Sequence, residues 1–389
     1  MKTYPKTIIL LSIIIIVTIV GYFFINQYSK PYVLEHVICK PEPYAKVGSC
    51  RGYDVKLPDA DFAGCSATHV CLGIFSKGDF LKEEPERCTY SGVIDVKAYD
   101  LNTVSGRQGY YDFLLTKRAC QIWGVWDATI LRASPNEMST VVAALGHALA
   151  TDNSSDKMYS KISERLYDPS KSLTEKVAVI DAFRYARTPL AVKYLFAYAT
   201  SSEPNHETMD GPLYAVSDKS RDVLREISMT LVDGAKNWNV SQAFEDAWRS
   251  IQNNETPKVT KVVGEALGYL SKPSGIELLL NTIVSDTTHN TIKYKVAAEV
   301  ISNLRYNDPV ETVLAPAVVT YQNDKNITNI VVKGLISINS ADSIIVALKY
   351  LDSIKASDPA TYKMILRKIK QSNNSEVIKV VSEWPIKNR

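Results

Sequence analysis

Thr256–Ser285 reads TPKVTKVVGEALGYLSKPSGIELLLNTIVS, and the spacing of its apolar residues decides the fold. Val259, Val262, Val263, Ala266, Leu267 and Leu270 recur every three or four positions, the stripe of one helix face. After a break, Ile276, Leu279, Leu280 and Ile283 repeat the stripe. Phe244, Ala247, Trp248 and Ile251 form another, and Ile292, Val296, Val300 and Leu304 a fourth. Each is shorter than about four turns, so the expected elements are short helices in succession.

The breaks share a chemistry. Ser134-Pro135, Asp168-Pro169, Thr188-Pro189, Thr256-Pro257, Asp308-Pro309 and Asp358-Pro359 each place a capping side chain before proline. The capping oxygen accepts an orphan backbone N–H, and proline at the first helical position gives up no needed donor. Glu137 and Glu311 stand where a capping-box acid belongs. The stripes align as two-helix units of roughly thirty to forty residues. They lie near Ser172–Thr200, Thr256–Ser285, Asn290–Gln322, Asn326–Lys355 and Pro359–Glu383. Ala144-Leu145-Gly146-His147 resembles Ala266-Leu267-Gly268-Tyr269, with glycine allowing close helix approach and leucine packing inward.

On these stripes and units, residues 134–385 resemble the HEAT-like and armadillo-like α-solenoid class. The resemblance implies a mainly α fold, an α-α superhelix, acting as a protein-binding scaffold with no shared catalytic residues. Physics gives the same expectation: a helix pair that cannot bury its apolar face alone stacks on its neighbours and presents an extended surface.

The rhythm fails at Ser201–Ser217, SSEPNHETMDGPLYAVS, an insertion expected to emerge as a loop. His206, Met209 and Tyr214 are its candidate partner contacts, against the plainer reading of a tolerated surface loop. Trp238, in the polar turn Asp233–Val240, either caps the core or anchors a partner. Tyr194 and Tyr198, with Lys193, share one side of a short helix and suit packing or recognition.

All six cysteines, Cys39, Cys50, Cys65, Cys71, Cys88 and Cys120, precede this region. An even set in an oxidising compartment reads as three bridges whose pairing the sequence does not choose. Residues 31–129 are therefore expected to form a small β-rich disulfide domain, with strand-like stretches around Val93–Tyr99 and Tyr110–Thr116. Cys65, His69, Cys71 and Cys88 do not match the paired spacing of a zinc site, so no metal or cofactor is expected.

Ile8–Ile25, IILLSIIIIVTIVGYFFI, nearly covers a hydrocarbon core of roughly 30 Å as a helix. It lacks the small-residue cleavage site of a signal peptide, so an uncleaved transmembrane anchor (8–25) after a cytoplasmic tail (1–7) is expected. Lys2 and Lys6 put the tail inside and the body outside, with a bacterial inner membrane facing the periplasm preferred. A net charge of +3 on 389 residues, without a basic block, argues against nucleic acid.

Phosphate-loop, dinucleotide, nucleophile-elbow and zinc-protease motifs are absent, so an enzyme is not the first expectation. Asp59-Ala60-Asp61 keeps a type II anchored transferase open as an alternative, although a polar turn explains it better. A secreted or surface-exposed binding protein, released by signal cleavage, is the other alternative. The expected function is a membrane-anchored extracytoplasmic scaffold that binds or assembles protein partners.

Overall fold

A computed structural model describes residues 99–117, 119, 122–123, 126, 135–151, 156–202, 212–252 and 256–387. The anchor at 8–25, all six cysteines and Asp59 and Asp61 lie outside them. Among the described residues no helix is long and apolar enough to cross a membrane. The described residues form 15 α-helices and one two-stranded sheet. The chain divides into two compact units, residues 1–161 and 162–389.

In the first unit α1 (Val104–Leu115) packs on α2 (Pro135–Thr151). The strand expected at Tyr110–Thr116 is instead the end of α1. Thr103 caps that helix through the Gly106 N–H, and Tyr110 and Leu114 are buried while Asp112 between them is exposed, a helical and not an alternating pattern. Tyr110 also packs against Tyr99, with ring centroids 5.4 Å apart. The Tyr111 hydroxyl is hydrogen-bonded to His147 Nδ1, joining the exposed sides of α1 and α2. α3 (Asp156–Tyr167) then leads into the second unit.

The second unit continues with α4 (Leu173–Ala186), α5 (Pro189–Ser202) and α6 (Pro212–Met229). A hairpin, β1 (Leu231–Val232) and β2 (Ala235–Lys236), and a 3₁₀ turn (Trp238–Val240) lead to α7 (Ser241–Ser250). α8 (Pro257–Leu270), α9 (Pro273–Ser285) and α10 (Ile292–Ser302) follow. A π-helical turn (Val310–Leu314) runs into α11 (Ala315–Thr320). α12 (Lys325–Ile338), α13 (Ala341–Ile354), α14 (Pro359–Ile369) and α15 (Ser375–Lys387) complete the chain.

These helices pack in two layers. α4, α6, α8, α10 and α12 lie side by side in succession. α5, α7, α9, the π turn with α11, α13 and α15 form the second layer, and α14 packs on α13. This arrangement of helix pairs is compatible with an α-solenoid. The stripe residues of α8 and α9 are all buried, as are Phe244, Ala247, Trp248 and Ile251. Burying an aliphatic or aromatic side chain contributes about 1.5–3 kcal/mol, far more than the helix propensity of any one residue.

Three local features set the packing. A Cβ added at Gly268 would lie 2.6 Å from Val300 Cγ1, and one at Gly264 2.5 Å from Val296 Cγ1, so glycine brings α8 close to α10. The buried Lys293 ammonium donates to Trp248 O (2.8 Å) and Ile251 O (3.2 Å), capping the C-terminal end of α7 and tying α10 to it. Its burial lowers the Lys293 pKa. At α4, Ser172 and Glu175 form a capping box. Burial pushes Glu175 up, but the Ser172 N–H and hydroxyl, followed by Lys171 and Arg165, hold it below the usual carboxylate range.

The proline boundaries divide by position. Pro189, Pro257 and Pro359 each open a helix, with Thr188 and Asp358 accepting backbone N–H groups. Asp168-Pro169 does not open one: Asp168 binds the Ser170 N–H and hydroxyl in a turn, and the helix begins after Ser172. Asp308-Pro309 precedes the π turn, where the Leu314 N–H reaches back to Pro309 O. Pro316 supplies the cause, because its ring conflicts with the carbonyl four residues earlier and a wider turn relieves the clash.

Candidate functional site

Beyond the close approach at Gly264 and Gly268, α8 and α10 leave a cleft of about 270 Å³. Val296, Val300 and Leu304 give it an apolar lining, and Gly268 adds no side chain to fill it. Lys261, Glu265 and Tyr269 come from α8; Glu299 comes from α10; Asn303, Arg305 and Tyr306 come from the segment after α10.

The charges fall into two kinds. Glu265 is held by Arg225 of α6, Nε to Oε2 at 3.2 Å, and lies 3.9 Å from the Lys261 ammonium. Glu299 and Arg305 are exposed and, among the described residues, have no ion pair within 4.0 Å. One anion and one cation, both solvated, thus border an apolar floor and two tyrosines. Such a surface accepts an amphipathic segment that supplies a complementary charge to each.

The hairpin meets this cleft at Tyr306. Lys236 is ion-paired with Asp308, and its ammonium lies 3.9 Å from the centre of the Tyr306 ring. Asp233 (φ 50°) and Gly234 (φ 78°) make the tight two-residue turn that an Asp-Gly pair favours. Leu231 and Val232, 65% and 45% exposed, remain in solvent beside Met229.

The residues singled out from sequence are distributed unevenly. Trp238 lies at the end of α8, where its indole N–H donates to Leu270 O at 2.8 Å, and the residue is 39% exposed. It therefore anchors the segment after the hairpin while presenting part of its ring. Tyr198 is 3% exposed, packed edge-on against Tyr167 with centroids 5.4 Å apart. Burial and then the neighbouring Tyr167 raise its pKa. Tyr194 is half-buried beside Phe183, with the Lys193 ammonium 5.3 Å from its ring centre. Tyr214 belongs to the first turn of α6, while His206 and Met209 lie outside the described residues. The expected insertion is thus shorter than Ser201–Ser217, because 201–202 end α5 and 212–217 begin α6 with Pro212 first.

Among the described residues no three His, Cys, Asp or Glu side chains are grouped to hold a metal ion. The fold and the cleft together define a mainly α-helical protein of stacked helix pairs with an amphipathic groove on one layer. In comparisons with known proteins the chain matches no family model, no curated protein and no solved structure.

Proposed function

We propose that this chain is a membrane-anchored, extracytoplasmic scaffold whose HEAT-like stack binds a protein partner in the cleft between α8 and α10. The observation that carries the reading is the pair Glu299 and Arg305, two unpaired charges beside an apolar floor and Tyr269 and Tyr306. A segment that brings one charge to each and an apolar side chain between them gains area and register together. The anchor reading comes from Ile8–Ile25 and the lysines before it, which assign the tail to the cytoplasm and the body to the far side.

Crosslinking the full-length chain in its native membrane, followed by mass spectrometry, tests the function. A specific protein should be captured, and Glu299→Lys with Arg305→Glu should abolish its capture while leaving helicity unchanged. Capture that survives both reversals moves the interface elsewhere, and deletion of 203–211 then tests the insertion. A chain that captures no protein defeats the scaffold reading.

A further inference from the structure

The last helix pair carries a charge pattern that packing does not require. α14 has the sequence PATYKMILRKI, with Lys363, Arg367 and Lys368, Lys370 at its C-cap, and no acidic residue. Lys363, Met364, Arg367 and Lys368 share one helix face, and all four are exposed, Met364 at 44%. Ile365 and Ile369 turn inward. Among the described residues none of the four cations has an ion pair within 4.0 Å.

Two plain roles account for part of this. Cations in a last helical turn offset the helix dipole, and the terminal pair of a stack needs a polar outer face. Lys363 is too far from the C-terminal turn for the first role, and mixed charges would fill the second equally well. The chain as a whole has 45 Lys and Arg against 42 Asp and Glu, so the single sign is a local property of this face. A one-signed basic face with a half-exposed methionine at its centre matches an anionic interface that is charged at its surface and apolar just beneath.

We propose that α14 docks on the anionic surface of the bilayer that holds the N-terminal segment. Its cations meet lipid phosphates, and Met364 enters the boundary between headgroups and acyl chains. The choice of lipid over another anion rests on the anchored reading above. Each cation near such a surface is worth about fivefold in partitioning, so removing three lowers it about a hundredfold.

The test reconstitutes the full chain in nanodiscs of phosphatidylcholine alone, or of phosphatidylcholine mixed with phosphatidylglycerol, and follows amide exchange at 359–371. Exchange should slow about tenfold or more in the mixed discs at low salt, and high salt should reverse the effect. Lys363→Gln, Arg367→Gln and Lys368→Gln together should remove it, with circular dichroism confirming unchanged helicity. Lys295→Gln, Lys333→Gln and Lys349→Gln, exposed lysines elsewhere, should leave it intact. Equal exchange in the two lipid compositions, or protection that persists in the α14 variant, overturns the proposal. Equal protection by free polyglutamate over phosphatidylcholine discs would assign the face to an acidic protein and overturn it too. A chain that does not enter the discs defeats the anchored reading along with it, whereas unchanged exchange in a chain firmly inserted defeats the docking of α14 alone.

Discussion

Gly264 shows how much one absent carbon decides. An added Cβ would meet Val296 Cγ1 at 2.5 Å and Trp248 Cζ3 at 3.1 Å, and the indole is itself held by its N–H to Thr282. Gly264→Ala gains at most about 1 kcal/mol in helix propensity and loses about 1–3 kcal/mol to overpacking. A lower urea midpoint with an unchanged slope is the expected result; an unchanged midpoint would mean that α8 and α10 separate freely. Asp286 decides something different. The Thr288 and Thr291 hydroxyls, reinforced by the N–H groups of the same residues, lower its pKa from 3.8 to about 2. Since the folded value is the lower one, Asp286 stabilises the fold above about pH 4, and that contribution disappears as pH falls from 3.8 through about 2. Its exposure screens the effect, and loss of a loop cap of this kind costs roughly 0.5–2 kcal/mol. Melts of Asp286→Asn should lie below those of the native chain at neutral pH and meet them near pH 2. A gap that stays constant with pH would remove the charge from the explanation.

At the scale of elements, the hairpin can be separated from the stack by experiment. Gly234 has φ 78° and open space around its Cα, so Gly234→Ala carries backbone strain alone, about 1 kcal/mol. Faster amide exchange confined to 231–237, with unchanged global unfolding, is the expected outcome, because Trp238 and Lys236 hold the hairpin at its far end. A global loss of stability would make the hairpin part of the core. The repeat units centred on α4–α5, α8–α9, α10–α11, α12–α13 and α14–α15 were legible in the sequence because each buries a three-and-four stripe against its neighbours. α7 was legible by its stripe Phe244, Ala247, Trp248 and Ile251, but α6 and its pairing with α7 were not, since 203–211 and the hairpin interrupt the spacing. The helix at Val104–Leu115 was hidden by aromatic residues, which also suit strands. The cleft left no linear signal: Glu265 meets Arg225, and Tyr269 shares a wall with Tyr306, through pairs far apart in the chain. Of its lining the sequence marked only the stripe residues Val296, Val300 and Leu304 and the close approach at Gly268.

Over the whole second unit, stability should be graded along the stack, because each helix pair gains most of its burial from its immediate neighbours. α8 buries eight of its 14 residues and packs on α6, α7, α9 and α10. α14 buries two of its 11 and packs chiefly on α13. Local opening costs least where buried contacts are fewest, so α14 and α15 should exchange their amides well before α8 and α10. Ending the chain after Ser357 should therefore leave exchange in α8 and α10 nearly unchanged, while α13, which loses α14 and α15 and keeps α11 and α12, becomes the new fraying end. The comparison is made on the full-length and shortened chains by hydrogen exchange under one set of conditions. Uniform protection from α4 to α15, or collapse of α8 when the last pair is removed, would mean that the unit folds all-or-none and that its two layers cooperate over the full length of the stack. Graded protection would instead leave α14 loosely held, so that a surface binding its basic face changes the exchange of that helix without altering the core around α8.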